Sequence, residues 1–95
     1  MNATVCKIKI HLPDNHSLKG KRQIIKSIIS RVRNQFNVSI AEVENQDLWQ
    51  LATLGIASVG NNHSDETIAN ILKYIEQNYP DIEVVDHETE IMQGF

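Results

Sequence analysis

Lys19, Lys21, Arg22, Lys26 and Arg33 are the residues whose type and spacing could do chemistry with an anion. At about 100° per residue, Lys19, Arg22, Lys26 and Arg33 fall within about 60° of one another on a helix, beside the face made by Leu18, Ile25, Ile29 and Val32. No acid occurs between Ser17 and Ala41, so the i,i+4 ion pairs that usually lace an exposed helix are missing. Lys19, Lys21 and Arg22 also crowd the helix start, where the dipole disfavours cations. A helix N-terminus with added lysines is, in turn, a competent site for phosphate. The chemistry expected of this stripe is phosphate contact. The plainer alternative is a solvated basic face, or one docked on acids of the same protein or a partner subunit.

Other candidates are weaker. His11 and His16 flank one loop, and His87 falls on a segment that could lie beside the first, but no HExxH or CxxC spacing is present and no metal or other cofactor is expected. Cys6 alternates onto an apolar face, where a thiol packs as a small hydrophobe. Ser17 to Arg22 lacks the upstream glycine of a Walker loop, so no ATPase is implied. Glu42, Glu44 and Asp47 with Gln46 and Trp49 surround a turn. Acids there keep a hairpin soluble, while Gln46, Asp47 and Trp49 together look like a protein-interaction surface, one large aromatic with a polar rim.

The chain has 95 residues, 41% hydrophobic and 22% charged, which is the composition of one ordinary globular domain over residues 1–95. The net charge of −3 hides a division. Residues 1–41 carry eight bases and one acid, Asp14, whereas residues 42–95 carry eleven acids and one base, Lys73. One cysteine cannot form an internal bridge, the apolar runs are too short to span a membrane, and the first residues lack the pattern of a signal peptide. A cytoplasmic location is expected.

Six elements must position these residues. Val5 to Leu12 alternates, with Cys6, Ile8, Ile10 and Leu12 on one face and Lys7, Lys9 and His11 on the other, which predicts a half-buried strand. Pro13-Asp14-Asn15 breaks it, and Ser17 can cap a helix running to about Asn34. Val38 to Val43 and Leu48 to Val59 read as a hairpin around residues 44–47. After a loop at Gly60 to Ser64, Ile68, Ile71, Leu72 and Ile75 mark a second helix ending near Asn78, with Asp65 and Glu66 suiting its dipole. Ile82 to Ile91 reads as a last strand with a bulge near Val84-Val85, because its apolar alternation slips there. The order β-α-β-β-α-β folds most economically as an α+β, ferredoxin-like domain: a four-stranded antiparallel sheet with both helices on one face and the first strand between the third and fourth. Glu88 and Glu90 are then expected opposite Lys7 and Lys9. Neither an RNA-stacking sheet nor an acylphosphatase loop fits, since Leu51 to Val59 has no aromatic and residues 12–16 have no arginine.

Three blocks, residues 16–22 (HSLKGKR), 31–39 (RVRNQFNVS) and 41–50 (AEVENQDLWQ), together resemble the YlxP-like family of small uncharacterised bacterial proteins, a domain of unknown function with a ferredoxin-like fold. The resemblance spans nearly the whole chain. Where family members often read Ser-Leu-Lys-Glu-Lys-Arg-Arg, this chain has Gly20 and Gln23. Family genes often sit among those for transcription termination, translation initiation and ribosome maturation, so the resemblance implies a role near RNA or the ribosome, and no catalytic residue carries over.

The expectation is a non-enzymatic accessory protein that binds RNA or a ribosomal particle through Lys19, Lys21, Arg22, Lys26 and Arg33, mainly by phosphate contacts and without DNA specificity. One alternative is a homodimer or protein-binding module using Gln46, Asp47 and Trp49. Another is a small anion-binding domain or enzyme at His11, His16 and the helix start.

Overall fold

The computed structural model describes residues 1–60 and 64–93. Its elements run β1 (Asn2–His11), α1 (Leu18–Gln35), β2 (Ser39–Glu44), β3 (Leu51–Gly60), α2 (Ser64–Asn78) and β4 (Glu83–Met92). The strands form one antiparallel sheet in the order β2-β3-β1-β4. The first strand is therefore central, as the ferredoxin-like arrangement requires.

Alternation in β1 buries Thr4, Cys6, Ile8 and Ile10 and turns Val5, Lys7, Lys9 and His11 to the opposite face. On the covered face these side chains meet Leu54 and Ile56 of β3 and the helix residues Ile25, Ile28, Val32, Ile68, Ile71 and Ile75. Each large aliphatic side chain withdrawn from water contributes about 1.5–3 kcal/mol.

Ser17 caps α1, its hydroxyl accepting from the Gly20 amide at 2.9 Å. The inward face of α1 is Lys21, Ile25, Ile28 and Val32. Ile68, Ile71 and Ile75 form the inward face of α2, and the chain leaves that helix at Pro80. Phe36 and Tyr74 meet edge to face at 5.8 Å, and Arg31 lies over the Tyr74 and Tyr79 rings at 5.9 and 5.3 Å. Arg31 thus belongs to the aromatic joint between the helices.

The predicted bulge in β4 is present: Lys9 pairs with Asp86 and Ile10 with Val84, leaving Val85 as the extra residue. A second bulge at Val43 in β2 was not predicted. Leu48 to Gln50, read as the start of a strand, lie in the turn before β3. The predicted loop from Gly60 to Ser64 includes residues 61–63, which lie outside the described residues.

Candidate functional site

The basic helix divides into three groups by environment. Lys19, Arg22 and Lys26 are exposed and have no acid partner among the described residues. Arg33 is exposed too, but it donates to the Ile40 carbonyl at 3.1 Å and so ties the end of α1 to β2. Lys21 departs from expectation: it is wholly buried and cannot touch an external anion. Its ammonium donates to the carbonyls of Asn45 and Leu51, at 2.5 and 2.9 Å, and lies 2.9 Å from a Glu42 carboxylate oxygen. That oxygen is buried and accepts no hydrogen bond, so charge rather than a directed bond holds it. A buried lysine is tolerable only when its charge and donors are answered; here Glu42 answers the charge and the two carbonyls take two of its three N–H groups.

Backbone geometry builds this nest. Asn45 sits at φ 65°, in the left-handed region that Asn tolerates, and its carbonyl also accepts from the Leu48 amide at 3.1 Å. The Asn45 side chain donates to Thr53 at 2.6 Å. Asn15 then donates to the Trp49 carbonyl at 2.6 Å and the Ser17 carbonyl at 2.8 Å, while Gln50 donates to the carbonyls of Pro13 and Asn15. The loop before α1 and the turn before β3 are thereby locked together. Of the three expected interaction residues there, Gln46, Asp47 and Trp49 are all exposed, Trp49 by 56%. Leu48 beside them is 47% exposed.

At the helix start, the Gly20 amide is taken by Ser17 and the Lys21 side chain points inward, which leaves less for an anion than the sequence implied. His11 lies 3.6 Å from Glu83, and His16 is exposed. No group of three His, Cys, Asp or Glu side chains that could hold a metal occurs among the described residues. Cys6 is buried and accepts from the Thr89 hydroxyl at 3.4 Å.

The uncovered sheet face carries the acids. Register places Glu88 opposite Lys7 and Asp86 opposite Lys9, while Glu90 faces Val5. Lys7 nevertheless reaches across β3 to Glu44 at 2.9 Å, and this hydrogen bond, more than the neighbouring Glu88, holds the Lys7 ammonium above its ordinary pKa. Sequence reasoning saw the lysines of this face and missed its other half. Ala3, Val5, Ala57, Val59 and Met92 occupy the same side by register, with Val43 lying over Gly55. The signal was the small apolar run of β3, which as a strand of a hairpin does not say which of its side chains face solvent.

No helix among the described residues is long and apolar enough to cross a membrane. The fold is also similar to that of a de novo designed protein, Foldit4, with a TM-score of 0.54 and 15% identity over the whole of both chains. A dimeric ferredoxin-like protein from an uncultured marine organism has a TM-score of 0.49 and 8% identity over 97% of this chain and 94% of that one. The uncharacterised protein YlxP of Bacillus subtilis (strain 168) is 40% identical over 79 residues, covering 81% of this chain and 85% of its own. Residues 3–89, from the first strand into the last, match the family described as protein of unknown function (DUF503), and on these two similarities the chain belongs to that family.

Proposed function

We propose that this protein is a non-enzymatic accessory factor that binds RNA or a ribosomal particle through the exposed face of α1. The observation that carries the reading is the row Lys19, Arg22 and Lys26, three exposed cations with no acid partner among the described residues, in a chain whose net charge is negative. Uncompensated like charges on one helix are a local cost that an external polyanion removes. Lys19 to Lys26 spans about 10 Å of helix axis, and Arg33 extends the row to about 21 Å. That length suits neighbouring phosphates on a nucleic-acid backbone. Phosphate contacts give affinity and position without base identity, so binding follows RNA shape rather than sequence. Lys21 has no part in it.

The test is binding to ribosomal subunits and to a structured ribosomal RNA fragment across a salt series, by anisotropy or filter retention. Three or four phosphate contacts give a log–log salt slope of about −2 to −4. The Lys19→Glu/Arg22→Glu/Lys26→Glu variant, folded by circular dichroism, should lose both affinity and slope. Lys9→Glu, on the opposite side of the sheet, should change little. If wild type shows no salt-dependent binding, the reading is wrong.

A second reading, a homodimer or protein-binding module, is favoured by Leu48 and Trp49, adjacent, exposed and rimmed by Gln46 and Asp47. Sedimentation of wild type and Trp49→Ser separates it: a dimer lost in the variant supports this reading, and a monomer in both removes the homodimer.

A further inference from the structure

We propose that the uncovered sheet face is a docking site for a basic amphipathic helix of a partner protein. Between Val5, Ala41, Val43, Gly55 and Ala57 this face holds an apolar depression of about 550 Å³, with Lys7, Glu88 and Glu90 on its rim. An antiparallel sheet can leave one face to water, but such a face normally carries polar side chains. Here one half is apolar: Val59 is 65% exposed, Val43 47% and Met92 44%, all on this side or at its edge. A contiguous apolar surface with a polar rim marks an interaction site.

Charge decides the occupant. Lys7, Lys9 and His11 are the basic side chains on this face, His11 lying 3.6 Å from Glu83, against Glu44, Glu83, Asp86, Glu88 and Glu90. Lys7 is already engaged by Glu44, and the acids nearest the depression, Glu88 and Glu90, form no ion pair within 4 Å among the described residues. A second copy laid face to face would set a net-negative surface against itself. The basic stripe of a second copy does not fit either, because Gln23 and Ser30 lie among its bases and no exposed apolar side chain is there to fill the depression. The complement is an apolar stripe flanked by lysine or arginine, and a helix is the element that packs on a sheet face, as α1 and α2 do on the other side.

The probe is a capped leucine–lysine peptide with leucines at helical i, i+3, i+4, i+7 spacing, beside the same peptide with glutamate for lysine. Binding is followed by amide chemical shifts of the intact protein. The lysine peptide should shift Val5, Gly55, Ala57 and Glu90, and the glutamate peptide should bind at least about ten-fold more weakly. Glu88→Lys/Glu90→Lys, at exposed positions that keep the fold, should weaken the lysine peptide by about ten-fold or more, as should Ala57→Arg. The Lys19→Glu/Arg22→Glu/Lys26→Glu variant should bind it within about two-fold of wild type, which separates this site from the RNA reading. Equal binding of the two peptides, a shift map on the helices, or indifference to the Glu88/Glu90 reversal overturns the proposal. So does a wild-type dimer abolished by Ala57→Arg, which would make a second copy the occupant.

Discussion

The Lys21 ammonium and the Glu42 carboxylate lie 2.9 Å apart, the lysine wholly buried and the glutamate side chain 17% exposed, and join the first turn of α1 to β2. Because the same ammonium holds the Asn45 and Leu51 carbonyls, it staples the turn before β3 to the helix that carries the exposed bases. Lys21→Ala leaves a buried carboxylate oxygen without its countercharge and two carbonyls without their donor. Breaking a buried pair from one side costs about 3–5 kcal/mol, a large share of the roughly 5–15 kcal/mol that stabilises a domain. Urea denaturation should show a much lower midpoint with an unchanged slope. Glu42→Gln, which removes the charge but keeps the shape, should also destabilise, because the ammonium is then the unpaired charge. A loss below about 1 kcal/mol in both variants would mean that water reaches the nest and that the pair is not structural.

Gly55 is required by Val43. A Cβ built on Gly55 would come within 2.9 Å of a Val43 methyl carbon, since the bulge in β2 throws Val43 over its neighbour strand. Gly55→Ala should therefore destabilise by about 1–3 kcal/mol, despite the better strand propensity of alanine. Val43→Ala alone should cost little, being 47% exposed, and should recover most of the loss in the double variant. A coupling energy near zero in that cycle would show that the loss comes from somewhere other than the contact.

For Lys7 the sign of the pH dependence follows from Glu44. The hydrogen bond raises the folded-state pKa of Lys7 above its ordinary 10.5, so its contribution is complete below the unfolded pKa and disappears as pH rises through the folded value. The stability difference between wild type and Lys7→Met should stay flat from neutrality to about pH 10 and shrink above it. Both side chains are about half exposed, 48% and 52%, so the difference should also fall with added salt. Denaturation at a series of pH values checks both. A difference that grows above pH 10 would rule out the pair as its source.

Much of this architecture is legible from local pattern. Period-2 alternation in β1 and 3.6-residue spacing in the helices mark which faces are buried, and the slip in apolar alternation marks the Val85 bulge. Lys21 was legible in one sense: it lies four, seven and eleven residues before Ile25, Ile28 and Val32, on the inward arc of α1. Charge argued for solvent, and only tertiary structure supplies the reason that it does not win. The two carbonyls that hold Lys21 come from residues 24 and 30 positions away, which no helical wheel shows. The Val43 bulge was hidden for a related cause, since an extra residue in β2 is defined only by its register against β3. The apolar half of the open face is a property of four strands side by side, so no single strand displays it.

Gly20 shows how a family difference is absorbed. The resemblance pattern often has Glu at this position, which with Ser17 would make a capping box, yet a Cβ on Gly20 would stand 2.4 Å from Asn15 Oδ1 and 3.1 Å from Ser17 Oγ. Asn15 is not free to swing away, because its amide is committed to the Trp49 and Ser17 carbonyls. Replacing glycine by alanine inside a helix gains up to about 1 kcal/mol from propensity, and here that gain opposes the displacement of Asn15. Gly20→Ala should therefore be neutral or destabilising in the wild-type chain. In an Asn15→Ala background the obstacle is gone, and the same substitution should stabilise by about 0.5–1 kcal/mol. Thermal or urea unfolding of the four proteins in this cycle gives the sign. If Gly20→Ala stabilises equally in both backgrounds, Asn15 yields without loss, and its bonds to the neighbouring turn are not what holds residues 12–17 against residues 45–51.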